Sequence, residues 1–247
     1  MGKSTQFDRV LNNALRHGWC TFECDTSRAL TDVASLLGIP RPSRSNEGLT
    51  DVLRVRSADQ VHQRSLSAVF GVGAFPWHTD YAHLRIPPRF VLLRSLSPPG
   101  VRPTLILDSR SLASEPEARA ALKREVWFVN GGRGRFFTPL LNDTLVPDAE
   151  IFRFDRCVMR IADEAAQASS RIIKLADLMS PTCRIEWQLG VCLLLDNWRM
   201  LHARSKEALN LEGISSGDSA RILERALVDV PGGQYRVLGL RRALAEG

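Results

Sequence analysis

The sequence lacks the cysteine pattern of a disulfide-bonded protein or a thiolate metal site. Its cysteines are odd in number and none forms a Cys-x-x-Cys pair; they are Cys20, Cys24, Cys157, Cys183 and Cys192. An even set at regular spacing would indicate a disulfide framework, and paired Cys-x-x-Cys motifs would indicate a zinc site. Neither is expected here, and unpaired thiols are typical of the reducing cytoplasm.

Long apolar runs are also missing. No segment has the roughly 18–20 consecutive apolar residues that a membrane helix needs, and the first residues lack the apolar stretch of a signal peptide. We therefore expect a cytoplasmic protein with no membrane partner. Apolar residues make up 44% of the chain and charged residues 24%, which is typical of a globular protein.

Basic residues outnumber acidic ones, with a net charge of +6, and most of them are arginine. No basic run is interleaved with aromatic residues, so nucleic acid is not favoured as a partner. Two interpretations stay open. The charge forms a solvated basic surface, or it serves an anionic small molecule, since guanidinium groups match carboxylates and phosphates.

Short β-rich segments dominate the chain after a helical start. Apolar periodicity predicts helices over residues 5–17, 27–37, 110–123 and 163–179. Alternating or β-branched runs predict strands over residues 19–22, 53–55, 90–93, 104–107, 126–129, 152–161, 184–189, 191–195, 200–204 and 221–230. Many short strands with few helices indicate a mainly β protein with flanking helices, a sandwich or barrel of jelly-roll type. We expect one domain over residues 1–247, with residues 1–40 as a flank and residues 50–230 as the core.

One short segment carries the first two candidate metal ligands, His78 and Asp80. On a strand, the alternation of side chains would place both on the same face. His202 follows a very apolar strand, where a lone imidazole needs a partner. Two histidines and one carboxylate on one face form the ligand set of iron(II) oxygenases. A hydrogen-bonded core pair is the alternative interpretation of His78 and Asp80.

Two arginines follow the third candidate ligand. On a strand, Arg221 and Arg225 would share one face with Leu223. If that face points inward, each guanidinium group needs an anionic partner, because a buried unpaired charge costs several kcal/mol. A dicarboxylate co-substrate would supply one such partner. The alternative is a strand that turns its arginines to solvent.

Together these motifs resemble the taurine dioxygenase and clavaminate synthase-like superfamily of iron(II)- and 2-oxoglutarate-dependent oxygenases. The resemblance covers roughly residues 68–108 and 183–230. The matching motifs are His78-Thr79-Asp80, Thr104 within residues 102–108, the segment from Asp196-Asn197 to His202, and Arg221. The fold implied is a double-stranded β-helix, the jelly-roll or cupin-like fold, flanked by helices.

The resemblance also implies a role for each matched residue. The catalytic iron(II) ligands would be His78, Asp80 and His202. Arg221, helped by the Thr104 hydroxyl, would bind the distal carboxylate of 2-oxoglutarate. Arg225 would meet an anionic group of the substrate, and it is also the alternative residue for the co-substrate, because the gap between His202 and Arg221 is longer than in many relatives. The reaction implied uses O2 and hydroxylates an unactivated C–H bond, with release of succinate and CO2.

Further residues are weaker candidates for substrate binding. His62 lies upstream of the first ligand and is a pocket residue or a surface histidine. Arg133 and Arg135 lie in a glycine-rich segment that is either a lid over an anionic substrate or a surface loop. Asp155 would pair with an amino group of a substrate or with a nearby arginine.

The leading functional hypothesis is a hydroxylase of a small molecule, anionic or amino-acid-like, such as an amino acid or a biosynthetic intermediate. One alternative is an oxygenase of the same chemistry that modifies nucleic acid. A second is a metal-binding jelly roll without catalysis, and a third is a zinc hydrolase, which would not need the arginine.

Overall fold

The protein is described by a computed structural model, over residues 5–43, 48–54, 69–71, 73–99, 101–131, 134–146, 149–163, 167–206, 221–229 and 241–242. Within these ranges every paired strand is antiparallel, and the helices are few and short. The mainly β prediction is therefore confirmed. None of the helices in the described ranges combines the length and the apolar character that a membrane crossing requires.

The helices and strands alternate irregularly along the chain. The helices are α1 Gln6–His17, α2 Leu30–Leu37, α3 Ser109–Leu112, α4 Pro116–Arg124 and α5 Ala168–Ala176. The strands are β1 Trp19–Glu23, β2 Ile39–Arg41, β3 Thr50–Arg54, β4 Phe75–His78, β5 Phe90–Ser95, β6 Thr104–Asp108, β7 Val126–Asn130, β8 Arg135–Pro139, β9 Leu141–Asp143, β10 Glu150–Phe152, β11 Met159–Ile161, β12 Cys183–Ile185, β13 Val191–Asp196, β14 Met200–Arg204, β15 Ile222–Asp229 and β16 Arg241–Arg242.

Two sheets face each other across the central core. The first has the order β1-β13-β5-β15-β2, with β3 also paired to β15, and the second has the order β12-β6-β14-β4. Because side chains alternate along a strand, one face of each sheet supplies this core. Leu193 and Leu223 come from the first sheet, and Ile106 and Met200 come from the second. The inner faces of β6, β14 and β15 also carry the candidate site.

The outer face of the first sheet is covered by α1 and α2. Leu194 and Val228 point outward and pack against Val10 and Leu30. Helix α1 begins with a capping box between Thr5 and Asp8, which satisfies two backbone N–H groups at its first turn. The strands β5 and β13 are therefore buried on both faces, which explains their nearly continuous apolar sequence.

The outer face of the second sheet packs on a further layer. Leu107 and Leu201 contact a cluster that includes Trp127 and Phe154. This layer contains the four-stranded sheet β11-β7-β8-β16, the hairpin β9–β10 and the helices α4 and α5. Trp127 Nε1 donates to Ser169 Oγ over 3.0 Å, which fixes α5 against β7.

Several predicted boundaries are wrong for physical reasons. The single helix over residues 110–123 is two helices, because Pro116 starts α4 and disfavours helical backbone in the residue before it. The single strand over residues 152–161 is wrong, since β10 ends at Phe152 and a turn precedes β11. In that turn Asp155 Oδ1 accepts the Cys157 N–H over 2.8 Å. The helix at 163–179 is limited to α5, and the strand at 184–189 ends at Ile185.

We expect Leu193→Ala to lower the free energy of unfolding by about 2–5 kcal/mol, because it leaves a cavity in the central core. Leu193 is 0% exposed between the two sheets. The control is Leu178→Ala, at a leucine that is 83% exposed, where a change within about 0.5 kcal/mol is expected. Urea denaturation of both variants measures the difference, and equal losses would contradict the assigned core.

Candidate metal and co-substrate site

Three side chains converge where β4 meets β14. His78 and His202 are direct partners in this antiparallel pair, and their ring centroids are 4.2 Å apart. Asp80 Oδ1 lies 3.9 Å from His78 Nε2 and 3.8 Å from His202 Nε2. The three groups together are close enough to hold one metal ion.

Asp80 reaches this point from a turn, so its predicted place on a strand is wrong. Strand β4 ends at His78, and the backbone turns away at Thr79 and Asp80. The turn is held by distant residues. The Asp80 N–H donates to Asn197 Oδ1 over 2.7 Å, Asn197 Nδ2 donates to the Asp80 carbonyl over 2.9 Å, and the Thr79 N–H donates to the Phe154 carbonyl over 2.8 Å.

The three groups direct two ring nitrogens and one carboxylate oxygen toward a common point. His78 Nδ1 lies 2.9 Å from the Pro76 carbonyl, which only accepts, so Nδ1 carries a proton and Nε2 is the nitrogen that faces Asp80. Burial lowers the pKa of His202 to about 3, so this ring is neutral. Burial alone raises the pKa of Asp80, but Arg225 and the two histidines outweigh it and bring that pKa to about 2. Two imidazoles and one carboxylate fit a divalent metal ion such as iron(II).

A second polar group lies on the same inner face, along β6. Thr104 and Ile106 share a face, and Ile106 is paired with His202. Thr104 is therefore a diagonal neighbour of His202, at a Cα separation of roughly 7–8 Å. Thr104 Oγ1 accepts from Arg221 Nη2 over 2.8 Å and from Trp187 Nε1 over 3.0 Å. Since both lone pairs are used, its proton is left to donate.

Arg221 is a half-buried cation without a carboxylate partner among the described residues. Its Nε atom is buried and makes no hydrogen bond there. Burial, and then the nearby charge of Arg204, lower the pKa of Arg221 to about 9. With the Thr104 hydroxyl beside it, Arg221 forms a site for the carboxylate of a ligand.

Arg225 faces inward, as the alternation along β15 predicts, but its guanidinium group is already occupied. Its Nη1 atom donates to Asp80 Oδ2 over 2.9 Å, and its Nη2 atom donates to Asp51 Oδ2 over 2.7 Å. The predicted contact with an anionic group of the substrate therefore does not match this arrangement, because the chain's own carboxylates take both terminal nitrogens. Of the two arginines, Arg221 is the one whose guanidinium group contacts no carboxylate among the described residues.

Asp155 lies near the candidate ligands His78 and Asp80, in the turn between β10 and β11. Its carboxylate interacts electrostatically with His78, Asp80 and His83. Burial raises the pKa of Asp155, and His78 acts in the opposite direction. The glycine-rich segment begins at Gly131, which packs tightly against His83. A Cβ atom on Gly131 would lie 2.1 Å from His83 Cβ.

The remaining candidates are not brought to the site. Arg135 is exposed at the start of β8, and no described contact links it to the ligands. His62 and Arg133 lie outside the described residues. Asp51 and Trp187 are site residues that the sequence did not predict, and Asn197 had no predicted role of its own. No local signal identifies them, because each acts on a residue far away in the chain.

Comparisons with known proteins identify the fold. No protein-family model matches the chain, and no curated protein matches it. Among solved structures, it is similar to PvcB, an iron- and alpha-ketoglutarate-dependent oxygenase from an isonitrile synthetic pathway, with a TM-score of 0.65 and 16% identity over 96% of this chain and 85% of that one. It is also similar to an asparagine oxygenase, with a TM-score of 0.66 and 17% identity over 89% and 78% of the two chains. A taurine dioxygenase from Burkholderia xenovorans gives a TM-score of 0.67 and 14% identity over 96% and 88%.

The fold of this chain is therefore that of the iron- and alpha-ketoglutarate-dependent oxygenases, and the predicted resemblance is confirmed at the level of the fold. Solved structures with this fold include PvcB, an asparagine oxygenase and a taurine dioxygenase. At these identities the likeness establishes the fold alone.

We expect Asn197→Ala to lower the free energy of unfolding by about 3 kcal/mol, since each unsatisfied buried polar group costs roughly 1–3 kcal/mol. It also releases the Asp80 turn, so Co(II) affinity should fall roughly 10–100-fold. The control is Asn142→Ala. Asn142 is equally buried and accepts from Thr138 Oγ1 over 2.8 Å in the outer layer. It should lose similar stability and keep its Co(II) affinity by titration. Equal weakening in both variants would contradict the role of Asn197.

Proposed function

We propose that this protein is an iron(II)- and 2-oxoglutarate-dependent oxygenase that hydroxylates an unactivated C–H bond of a small, amine-bearing molecule. The observation that carries the proposal is the placement of Arg221 and Thr104. A guanidinium with no carboxylate partner among the described residues and a hydroxyl group beside it lie on the same inner face as three converging metal donors. We further propose that residues 1–247 form one domain and that the two facing sheets form the double-stranded β-helix.

The metal would be held by His78, Asp80 and His202. Their donor atoms are two imidazole nitrogens and one carboxylate oxygen, which leave open positions on an octahedral ion. When bound, iron(II) and its co-substrate supply the activation of O2 and the oxidative decarboxylation that yields succinate and CO2. The protein's contribution is to fix the ligands and to exclude water from the space between the sheets.

The co-substrate would lie between the metal and Arg221. The Cα atoms of His202 and Thr104 are roughly 7–8 Å apart, and Thr104 Oγ1 accepts from Arg221 Nη2, so the guanidinium and hydroxyl groups lie on the same sheet face as His202. The Arg221 guanidinium and the Thr104 hydroxyl proton would bind the distal carboxylate. The distal carboxylate would supply the anionic partner that Arg221 lacks among the described residues.

The substrate would carry an amino group near Asp155. Asp155 Oδ1 accepts the Cys157 N–H, while no described group donates to its Oδ2 atom. A partly buried carboxylate with one free oxygen beside the ligands favours a cation, and an ammonium group supplies one. Two of the structural neighbours are consistent with this class, since one is an asparagine oxygenase and another was solved with (3R,4R)-dihydroxy-L-Arg.

We expect anaerobic addition of iron(II) and 2-oxoglutarate to produce a visible metal-to-ligand charge-transfer band. His202→Ala should abolish it because a ligand is lost, and Arg221→Ala should require at least tenfold more 2-oxoglutarate, since a charge-assisted hydrogen bond contributes roughly 1.5–3 kcal/mol. The control is Arg124→Ala, which removes an exposed arginine from α4 and should leave the titration unchanged. A wild type that binds the metal but gives no band would contradict the proposal and favour a metal-binding module without catalysis.

We expect succinate formation to be stimulated by amine-bearing compounds and not by their desamino counterparts. In a screen of such matched pairs, Asp155→Asn should raise the KM of the stimulating compound roughly tenfold or more, because a charged hydrogen bond is lost. Its charge-transfer band should stay intact. Asp177→Asn changes an exposed carboxylate that pairs with Arg156 and serves as the control. Stimulation by single-stranded nucleic acid, or equal stimulation by both members of each pair, would contradict the amine assignment.

A further inference from the structure

Arg225 joins the candidate metal ligand Asp80 to a second carboxylate, Asp51. Its Nη1 atom donates to Asp80 Oδ2 over 2.9 Å, and Asp80 Oδ1 is the oxygen that faces the two histidines. One carboxylate oxygen is therefore held by the arginine and the other is left for the metal. A guanidinium fork restricts both the position and the rotation of a carboxylate, which a point charge does not.

Asp51 in turn fixes Arg225. It lies on β3, directly opposite Arg225 on β15. Asp51 Oδ2 accepts from Arg225 Nη2 over 2.7 Å, and Asp51 Oδ1 accepts from Ser43 Oγ over 2.7 Å. The side chains of Arg225 and Asp51 are only 11% and 9% exposed, so the pair is shielded from water and its geometry is well defined.

Tyr81 closes this arrangement from the other side. The Arg225 guanidinium lies over its ring, 5.0 Å from the centroid, and Arg225 Nη2 also donates to Tyr81 Oη over 3.1 Å. Tyr81 Oη donates to the Ser43 carbonyl over 2.5 Å. Tyr81 has a φ of 58°, a left-handed backbone conformation that is strained for a bulky residue. These contacts hold that strained residue next to Asp80.

We propose that Arg225 is a positioning residue for the metal ligand Asp80, set in place by Asp51, and is not a receptor for an anionic group of the substrate. The inference rests on the proposed function, since it assigns Asp80 to a metal. In this arrangement Asp80 would offer the metal its Oδ1 atom, because its Oδ2 atom is held by Arg225. Asp51 occupies the edge of Arg225 that a carboxylate or sulfonate of a substrate would otherwise bind.

The test is the affinity and the absorption spectrum of bound Co(II), measured in the absence of 2-oxoglutarate and substrate. We expect Arg225→Gln to weaken Co(II) binding roughly 10–100-fold, as changes behind a metal ligand do, and to shift the visible absorption bands. Arg225→Lys should recover only part of the affinity, because one ammonium group cannot hold both carboxylates. Asp51→Asn should weaken binding less, and it should add no further loss in the Arg225→Gln background, since it acts through Arg225.

The control is Glu224→Gln on the neighbouring position of β15. Glu224 forms a buried ion pair with Arg94, with Arg94 Nε 2.8 Å from Glu224 Oε2, and it faces away from the site. Its loss should reduce stability and leave Co(II) affinity and spectrum unchanged. If the wild type binds Co(II) and the Arg225 variants bind it equally tightly with the same spectrum, the positioning role is overturned while the proposed function stands. A wild type that binds no Co(II) overturns the proposed function itself.

Discussion

One buried amide, Asn197, joins the two parts of the chain that supply the candidate metal ligands. Its side-chain oxygen accepts the Asp80 N–H, and its side-chain nitrogen donates to the Asp80 carbonyl. The same nitrogen also donates to the Pro88 carbonyl over 3.1 Å. Three residues later β14 begins, and that strand carries His202. The position of Asp80 relative to His202 is therefore set by hydrogen bonds in a site with no exposure to solvent, where leaving a partner unpaired is costly.

Local patterns in the sequence predicted the strands well and the turns poorly. The strand at residues 200–204 matches β14 to the residue, because its apolar and polar positions alternate between two packed faces. Asp80 faces the same point as His78, as the sequence predicted, but a turn and not a strand positions its side chain. The groups that shape this turn lie 75 and 117 residues away in the chain. The Asp51 carboxylate that occupies Arg225 lies 174 residues away, so no window of sequence contains either interaction.

The geometry also separates a metal centre from the alternative of a hydrogen-bonded core pair. A carboxylate bound to a histidine N–H lies within about 3.2 Å, yet Asp80 Oδ1 stands 3.8–3.9 Å from both imidazoles. The proton of His78 is directed to the Pro76 carbonyl, away from Asp80. Two ring nitrogens and a carboxylate oxygen thus face one another at separations too long for hydrogen bonds between them. A cation at the centre would be stabilised by all three groups.

The arginines near the site favour the proposed oxygenase over a protein that only binds metal. Arg225 contacts the carboxylates of Asp80 and Asp51, and Arg204, which lies on the same strand as His202, donates to the backbone carbonyls of Gly71 and Gly73. Arg221 contacts only the Thr104 hydroxyl among the described groups. A metal-binding module would gain nothing from a desolvated, unpaired guanidinium beside its metal. An enzyme whose co-substrate brings its own carboxylate requires one there, and the cost of burying Arg221 is offset when that ligand binds.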